Sequence, residues 1–458
     1  MSMQNQMSRE ATGVTWQLSR YAVATRLEDL PVAVQEQGVR AFINWVGCVL
    51  GAVNHDAVMS AKRALAAYSG PEEASLPGAG QRFNMMQTAL FNGMAATARV
   101  FDDTYLSAVV HPTSPVGAAA LAVGEHTHSS GPEFLAALIV GVETACRAAD
   151  MLTLAPGKSH LGLYMTGIVG GIGSAVAAGK LLQLSEQQMV WAMGIAVAQA
   201  SGVRALHGSQ ASPFMAGNGA RAGVTAALLA RAGMTSTEHS LEGDRGFADI
   251  FASSPNSAAA IDGLGEKFDI LDLTFKPFPC GIVSHAVVDA CLLLAVECDI
   301  DASKIERVDI EVCPPGVELT GIRHPKDHMN CRNSLHHWAA VSFMRRRASI
   351  AEEECIHDPQ VIAMRDRIHA SATELPPDAA NVRVTLKDGQ VLEKSVEHCI
   401  GSRDRPMNDD EIDGKFLHQA QLIMSEERAK IALKACRSIE ILADVGRVMM
   451  PLTGDDAR

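Results

Sequence analysis

The sequence predicts a mainly α protein. One large all-helical domain is formed by both chain ends, residues 1–268 and 403–458, and a smaller α+β domain, residues 269–402, is inserted toward the C-terminus. Three observations lead there. Apolar residues recur at three- and four-residue spacing from about Val14 to Ala260, alternating strand-like runs appear only after Phe268, and the tail returns to helical spacing.

The helical elements follow in order. VQEQGVRAFINWVGCVLGAV, EFLAALIVGVETACRAADML and RAGVTAALLARAGM each carry one apolar stripe, separated by turn signals such as SGPEEASLPGAG, SSGPE and LEGDRG. SHLGLYMTGIVGGIGSAVAAG, Ser159 to Gly179, is uncharged and long. Its glycines and its polar His160 and Tyr164 make it a buried helix among other helices rather than a membrane span. IVSHAVVDACLLLAVE and SLHHWAAVSFMRRR predict helices in the smaller domain. KIERVDIEVCPPG alternates like a strand ended by Pro-Pro-Gly, and NVRVTLKDGQVLEKSVEH reads as two strands around a Lys-Asp-Gly turn. In the tail, DDEIDGKFLHQAQLI opens on acidic residues that suit a helix N-terminus, and SEERAKIALKACRSIEIL follows.

A chain of 458 residues has room for a catalytic cleft between domains. Its net charge of -13, with one tight basic run at Arg345-Arg346-Arg347, excludes a nucleic-acid binder but leaves an anionic substrate open, because a few cations in one cleft set the local potential. The N-terminal stretch from Met1 to Gly13 lacks the pattern of a secretory signal, so a cytosolic protein with no membrane association is expected. None of the ten cysteines forms CxxC, which predicts reduced thiols.

Most candidate motifs fail on spacing. GIVGGIGSAVAAGK follows no strand, and its final lysine has no Ser or Thr after it, so its glycines are read as letting helices approach. EHTHSSG supplies two histidines without further ligands, and no metal site is predicted. Cys280, in KPFPCGIVSH, is read as a buried structural thiol. The remaining polar cluster is FDDTYLSAVVHPTSP, Phe101 to Pro115, at the end of a small-residue run.

NGMAATARVFDDTYLSAVVHPTSP, Asn92 to Pro115, resembles the segment NG...H..DFDDT....HPS of the MmgE/PrpD family. That family includes 2-methylcitrate dehydratase, cis-aconitate decarboxylase and iminodisuccinate epimerase. Four further landmarks follow in the family's order: LEGDRGF from Leu241, KPFPCGIVSHAVVDA from Lys276, KIERVDIEV from Lys304 and GSRDRPMNDDEIDGKF from Gly401. The opening helices from Arg20 to Ala52 are similar as well. The resemblance implies a helical domain with a smaller lid, a homodimer with the site between the domains, and chemistry that needs no metal or organic cofactor.

Carried over by position, Asp102, Asp103, Thr104, His111 and His285 match the family, although the Thr104 to His111 spacing is one residue longer than in the decarboxylases. Elsewhere the chain departs. Val100 replaces an aspartate, Thr97 and Tyr164 stand at histidine positions, Ser212 stands at a lysine and His337 at a tyrosine.

Reactions of such a family make or break a bond beside a carboxylate, so they need a base, an acid and support for the growing negative charge. His111 and His285 are the expected acid/base pair, with Tyr164 and His337 as second donors or anchors. Lys276 and Thr104 are expected to hold carboxylates of a small di- or tricarboxylate, with Asp102 and Asp103 orienting the histidines. Arg99 and Arg204 are added positive charges, either of which could compensate for Ser212. The leading expectation is a hydro-lyase that removes a proton α to a carboxylate and expels the β-hydroxyl. An epimerase with two acid/base groups and a non-catalytic binding protein are the alternatives, and decarboxylation ranks below them.

Overall fold

The computed structural model describes residues 13–452; the segment read for a secretory signal lies outside them apart from Gly13. The protein is mainly α. The predicted helices form at Val32–Ala52, Gly131–Thr153, Met165–Leu181 and Ala211–Arg231, with Met85–Ala98 and Thr113–Thr127 packed among them. The start of Gly131–Thr153 is capped by side chains. In SSGPE, the Ser130 hydroxyl accepts from the Glu133 N–H while the Glu133 carboxylate accepts from the Ser130 N–H, with proline in the first turn. Among the described residues, no helix is long and apolar enough to cross a membrane.

Glycine acts here as the motif reading anticipates. Gly173, in GIVGGIGS, packs so closely on the Gly131–Thr153 helix that a Cβ would lie 2.5 Å from the Gly141 carbonyl oxygen, so these backbones touch only because neither residue has a side chain.

The buried apolar residues form two main clusters. One joins Val14 through Phe275 with Met407 through Leu452, and the other runs from Phe278 to Cys399. In the second, a four-stranded sheet has the order Val391–Val396, Ala380–Leu386, Ile305–Val312, Ile368–Ala372. The first two pairings are antiparallel and the last is parallel. Ile368–Ala372 has no clear alternation and escaped the sequence reading. Helices His285–Glu297 and Leu335–Arg345 pack in the same cluster.

The helical part is not purely helical, which corrects the expectation. It carries short two-stranded pairs, including Asp103–Tyr105 with Leu273–Phe275. Three-residue strands are too brief to show a period and form because a distant segment supplies the partner.

The chain crosses between the two clusters at Phe275–Phe278 and returns near Gly401, and these crossings lie against each other. A Cβ on Gly401 would sit 2.3 Å from the Phe275 carbonyl oxygen, and its φ of +82° is itself a glycine conformation. A second tie is ionic. Glu353, fully buried, receives Arg99 at 2.8 Å and Arg332 at 3.1 Å, and Arg332 also donates to the Ala98 carbonyl. Removing the carboxylate leaves guanidinium groups buried without compensation, at a cost of about 3–5 kcal/mol. Glu353→Ala is therefore expected to lower the urea midpoint strongly, and Glu353→Gln by less; equal midpoints for wild type and Glu353→Ala would count against this tie.

Candidate active site

The site is built around a strand register. Asp103 pairs with Phe275, Thr104 with Thr274 and Tyr105 with Leu273, so one step further Lys276 arrives opposite Asp102. The Lys276 ammonium donates to Asp102 Oδ1 at 2.8 Å, and both side chains are almost wholly buried. Asp102 Oδ2 accepts from the Ser114 hydroxyl at 2.8 Å, and Asp103 Oδ2 accepts from Thr113 at 2.6 Å. Both hydroxyls belong to the first turn of the Thr113–Thr127 helix, within HPTSP. The paired aspartates thus tie a strand to a helix start.

The intervening loop closes on itself, with Tyr105 N–H donating to the Val110 carbonyl at 2.8 Å and Val110 N–H returning a bond at 3.2 Å. Val100 and Val109, with φ of 52° and 50°, bracket the segment in the left-handed region that β-branched residues avoid. The surrounding bonds hold that strained path and set His111 over Thr104.

His111 Nδ1 lies 2.8 Å from the Asp103 carbonyl oxygen, 3.1 Å from Thr104 Oγ1 and 3.5 Å from Lys276 Nζ. A carbonyl only accepts, so Nδ1 carries the proton and Nε2 keeps its lone pair. Burial, then the Lys276 charge, pushes the imidazole down to about 4, which leaves a neutral base at pH 7. The aspartates diverge. Burial alone would raise Asp102, but Lys276, aided by His111 and Ser114, holds it well below the usual carboxylate range. Asp103 is raised to about 7 by burial, with the Asp102 charge adding and the Thr113 hydroxyl opposing.

Tyr164 stands beside this cluster, its ring centroid 6.3 Å from that of His111. Burial raises its pKa, so its hydroxyl remains a protonated donor in the neighbourhood of the Thr166 and Thr97 side chains. Thr166 Oγ1 also accepts the His111 backbone N–H at 2.9 Å. Thr97 and Tyr164, the two positions where the resemblance has histidines, therefore lie in one neighbourhood.

The other predicted site residues are placed as follows. His285 is fully buried in the second cluster, its Nε2 on the Cys280 carbonyl at 3.2 Å and its Nδ1 unpartnered. Burial and the Lys276 charge lower it to about 3, so Lys276 acts electrostatically on both histidines. His337 Nε2 meets the Glu352 carbonyl at 2.9 Å, and its ring packs edge-on to Trp338, within the second cluster. Arg99 turns to Glu353 and the Gly51 carbonyl. Ser212 is half-buried in the first turn of Ala211–Arg231. Arg204 lies in the turn before that helix, where its charge is felt by Tyr164. Cys280 is buried with its thiol pushed up to about 12, which suits a structural role.

Four contributors were not foreseen. Thr113 and Ser114 stand in the first turn of Thr113–Thr127, where their hydroxyls reach the paired aspartates. Lys415, in DGKF, is buried and donates to the Phe101 carbonyl at 2.7 Å and Asn44 Oδ1 at 2.6 Å, and burial lowers it to about 8. Only its place in an otherwise helical amphipathic run hinted at burial. His207 packs edge-on against Tyr164 at 5.0 Å, and no motif marks it.

Two further features lie elsewhere. A groove of about 750 Å³ is lined by Arg26, His126, His128, Lys180 and Arg231, none of them a predicted site residue. Among the described residues, one trio with metal-ligand spacing occurs, Asp378, His398 and Asp404, at the return crossing.

A mainly helical chain with a buried Lys–Asp–His cluster at the crossing between two apolar cores defines a class of two-part α proteins. Comparison makes the membership specific: the MmgE/PrpD N-terminal domain profile matches residues 16–259 and the C-terminal domain profile residues 278–439, and the chain belongs to the MmgE/PrpD family. Similar proteins include the cis-aconitate decarboxylase of Homo sapiens, 28% identical over 80% of this chain and 79% of that protein. The cis-aconitate decarboxylase of Aspergillus terreus is 23% identical over 98% of each chain.

The neutral histidines set the acid response. A folded-state pKa below the ordinary ~6.5 means the unfolded chain takes the proton first. Stability from His111 near 4 and His285 near 3 is thus complete above about pH 6.5 and lost as pH falls toward those values. Asp103, raised to about 7, pulls the other way. The diagnostic is a difference: between pH 6.5 and 4.5 the melting temperature of His285→Gln should fall less than that of wild type, and parallel curves would contradict a buried neutral His285.

Proposed function

We propose that the protein is a lyase acting on a small polycarboxylate, with His111 Nε2 as the base that removes a proton α to a carboxylate. The observation that carries this reading is the fixed tautomer of His111, a neutral imidazole whose Nδ1–H is spent on a carbonyl and whose Nε2 is free. Burial and then the Lys276 charge keep that imidazole neutral, and Lys276, through Asp102, keeps the strand and helix start in place. In dehydration, the α C–H pair becomes the new double bond, the β C–O bond breaks, and hydroxide leaves as water with a proton from a donor such as Tyr164. The negative charge that grows on the α-carboxylate during this step requires cationic or hydrogen-bonding support. His285 and His337 complete the candidate set from the smaller unit, which serves as a lid over the cleft; their bonds to Cys280 and Glu352 carbonyls leave each Nδ1 unpartnered.

Decarboxylation is the second reading, favoured by relatives named for cis-aconitate decarboxylation that match 80% and 98% of the chain. There the C–CO2 bond supplies the electrons and a proton returns to carbon. Proton NMR in deuterium oxide separates the outcomes on 2-methylcitrate, cis-aconitate and iminodisuccinate. A vinyl product without CO2 marks dehydration, CO2 release marks decarboxylation, and deuterium at an unchanged skeleton marks an epimerase. Binding without any of these marks a catalytically idle protein. His111→Gln should slow the productive reaction at least ~100-fold, the usual scale for a general base. We further propose that the reaction runs on side chains alone, in the cytosol. Prolonged dialysis against EDTA should leave the rate within twofold, and a metal-restored loss would reject that part.

We propose a homodimer as the working assembly. Leu161, Val203, Leu206 and Phe214 are exposed large apolar side chains on the segments flanking Tyr164, which is support for a covered face there. Light scattering after size exclusion should give twice the chain mass, and Leu206→Glu with Phe214→Glu should shift it to one chain mass; a wild type already at one chain mass would exclude the dimer.

A further inference from the structure

Lys276 is the obvious anchor for a substrate carboxylate, but its charge is already matched by Asp102 at 2.8 Å. Arg99 is likewise matched, by Glu353. Arg204 differs. Among the described residues it has neither an ion-pair nor a side-chain hydrogen-bond partner, its Nε is buried and unsatisfied, and burial lowers its pKa. A guanidinium partly withdrawn from water without an acceptor is costly, and a planar anion is the partner it fits best.

The turn that carries Arg204 is held firmly. Arg204 N–H donates to the Gly162 carbonyl at 2.8 Å, Tyr164 N–H to the Gly202 carbonyl at 3.2 Å, and His207 N–H closes on the Arg204 carbonyl at 3.0 Å. This fastens the 202–207 turn to the segment before Tyr164 and brings the His207 ring to 5.0 Å from the tyrosine ring, itself 6.3 Å from His111. Neither ring nitrogen of His207 has a hydrogen-bond partner among the described residues, and the residue is exposed, with its ring against Tyr164. Partial desolvation and then the Arg204 charge lower its pKa, so the ring is neutral at pH 7 with an N–H to offer.

We propose that Arg204 and His207 form a carboxylate clamp on one turn, holding a second carboxylate of the substrate while His111 works on the carbon next to the first. The proposal rests on the polycarboxylate reading above and deepens it. The clamp supplies the positive charge that Lys276 has already given to Asp102, and His207 adds a directional donor. A substrate with two separated carboxylates then spans from the clamp to His111, which favours di- and tricarboxylates over monocarboxylates.

The test uses tricarballylate, an unreactive tricarboxylate, with the whole protein. The histidine Cε1–H signals of His111 and His207 are identified by their loss in His111→Gln and His207→Gln. Adding tricarballylate is expected to move the His207 signal in wild type and to leave it unmoved in Arg204→Gln. Calorimetric affinity is expected to fall at least tenfold in Arg204→Gln and about threefold in His207→Gln, while Arg204→Lys restores part of the loss. A shift at His111 with none at His207, or affinities within twofold of wild type in both variants, overturns the clamp and leaves the lyase reading standing. No shift at either histidine and no heat of binding overturns both.

Discussion

The buried pair between Asp102 and Lys276 is the contact on which the rest of the site depends. It sits where the chain leaves the helical core, and it is delivered by an antiparallel register only three residues long. Two charges removed from water repay their desolvation only when geometry and added hydrogen bonds are good, and here Ser114 supplies a further donor to the carboxylate. The pair does three things together. It joins Leu273–Phe275 to the Asp103 strand, it ties that strand to the start of Thr113–Thr127, and it sets a fixed positive charge beside His111.

That fixed charge organises the acid/base character of its neighbours. A lysine within 3.5 Å of an imidazole nitrogen disfavours imidazolium, and burial works in the same direction, so His111 stays neutral. The same charge keeps Asp102 ionised while its neighbour Asp103 titrates near neutrality. Adjacent carboxylates therefore have unlike protonation, one serving as a permanent anion and the other as a group able to hold a proton. Tyr164 remains protonated through burial, and Thr166, near it, accepts the backbone N–H of His111.

The two apolar cores are joined by more than the covalent crossings. Glu353 gathers Arg99 from the end of Met85–Ala98 and Arg332 from the smaller unit, and Gly401 lets the returning chain lie against Phe275. Lys415, from the Asp409–Ala420 helix, reaches the Phe101 carbonyl and so steadies the first residue of FDDT. The polar cluster at the end of an apolar helix is thus explained by its position, at the place where three segments of distant sequence meet.

The sequence by itself determined the helices, the hairpin around Lys-Asp-Gly and the family, because helical and strand periods, caps and short motifs are encoded within a few residues of each other. It also singled out Asp102, Asp103, Thr104, His111 and Lys276, which the structure brings together. It did not show that Arg99 turns to Glu353, that His337 meets the Glu352 carbonyl, or that His207 lies against Tyr164. Nor did it show that Lys276, 174 residues away in the chain, neutralises Asp102. Those choices belong to the tertiary structure, since which side chain meets a charge depends on strand register and loop closure between distant segments, and local residue patterns carry no record of that geometry.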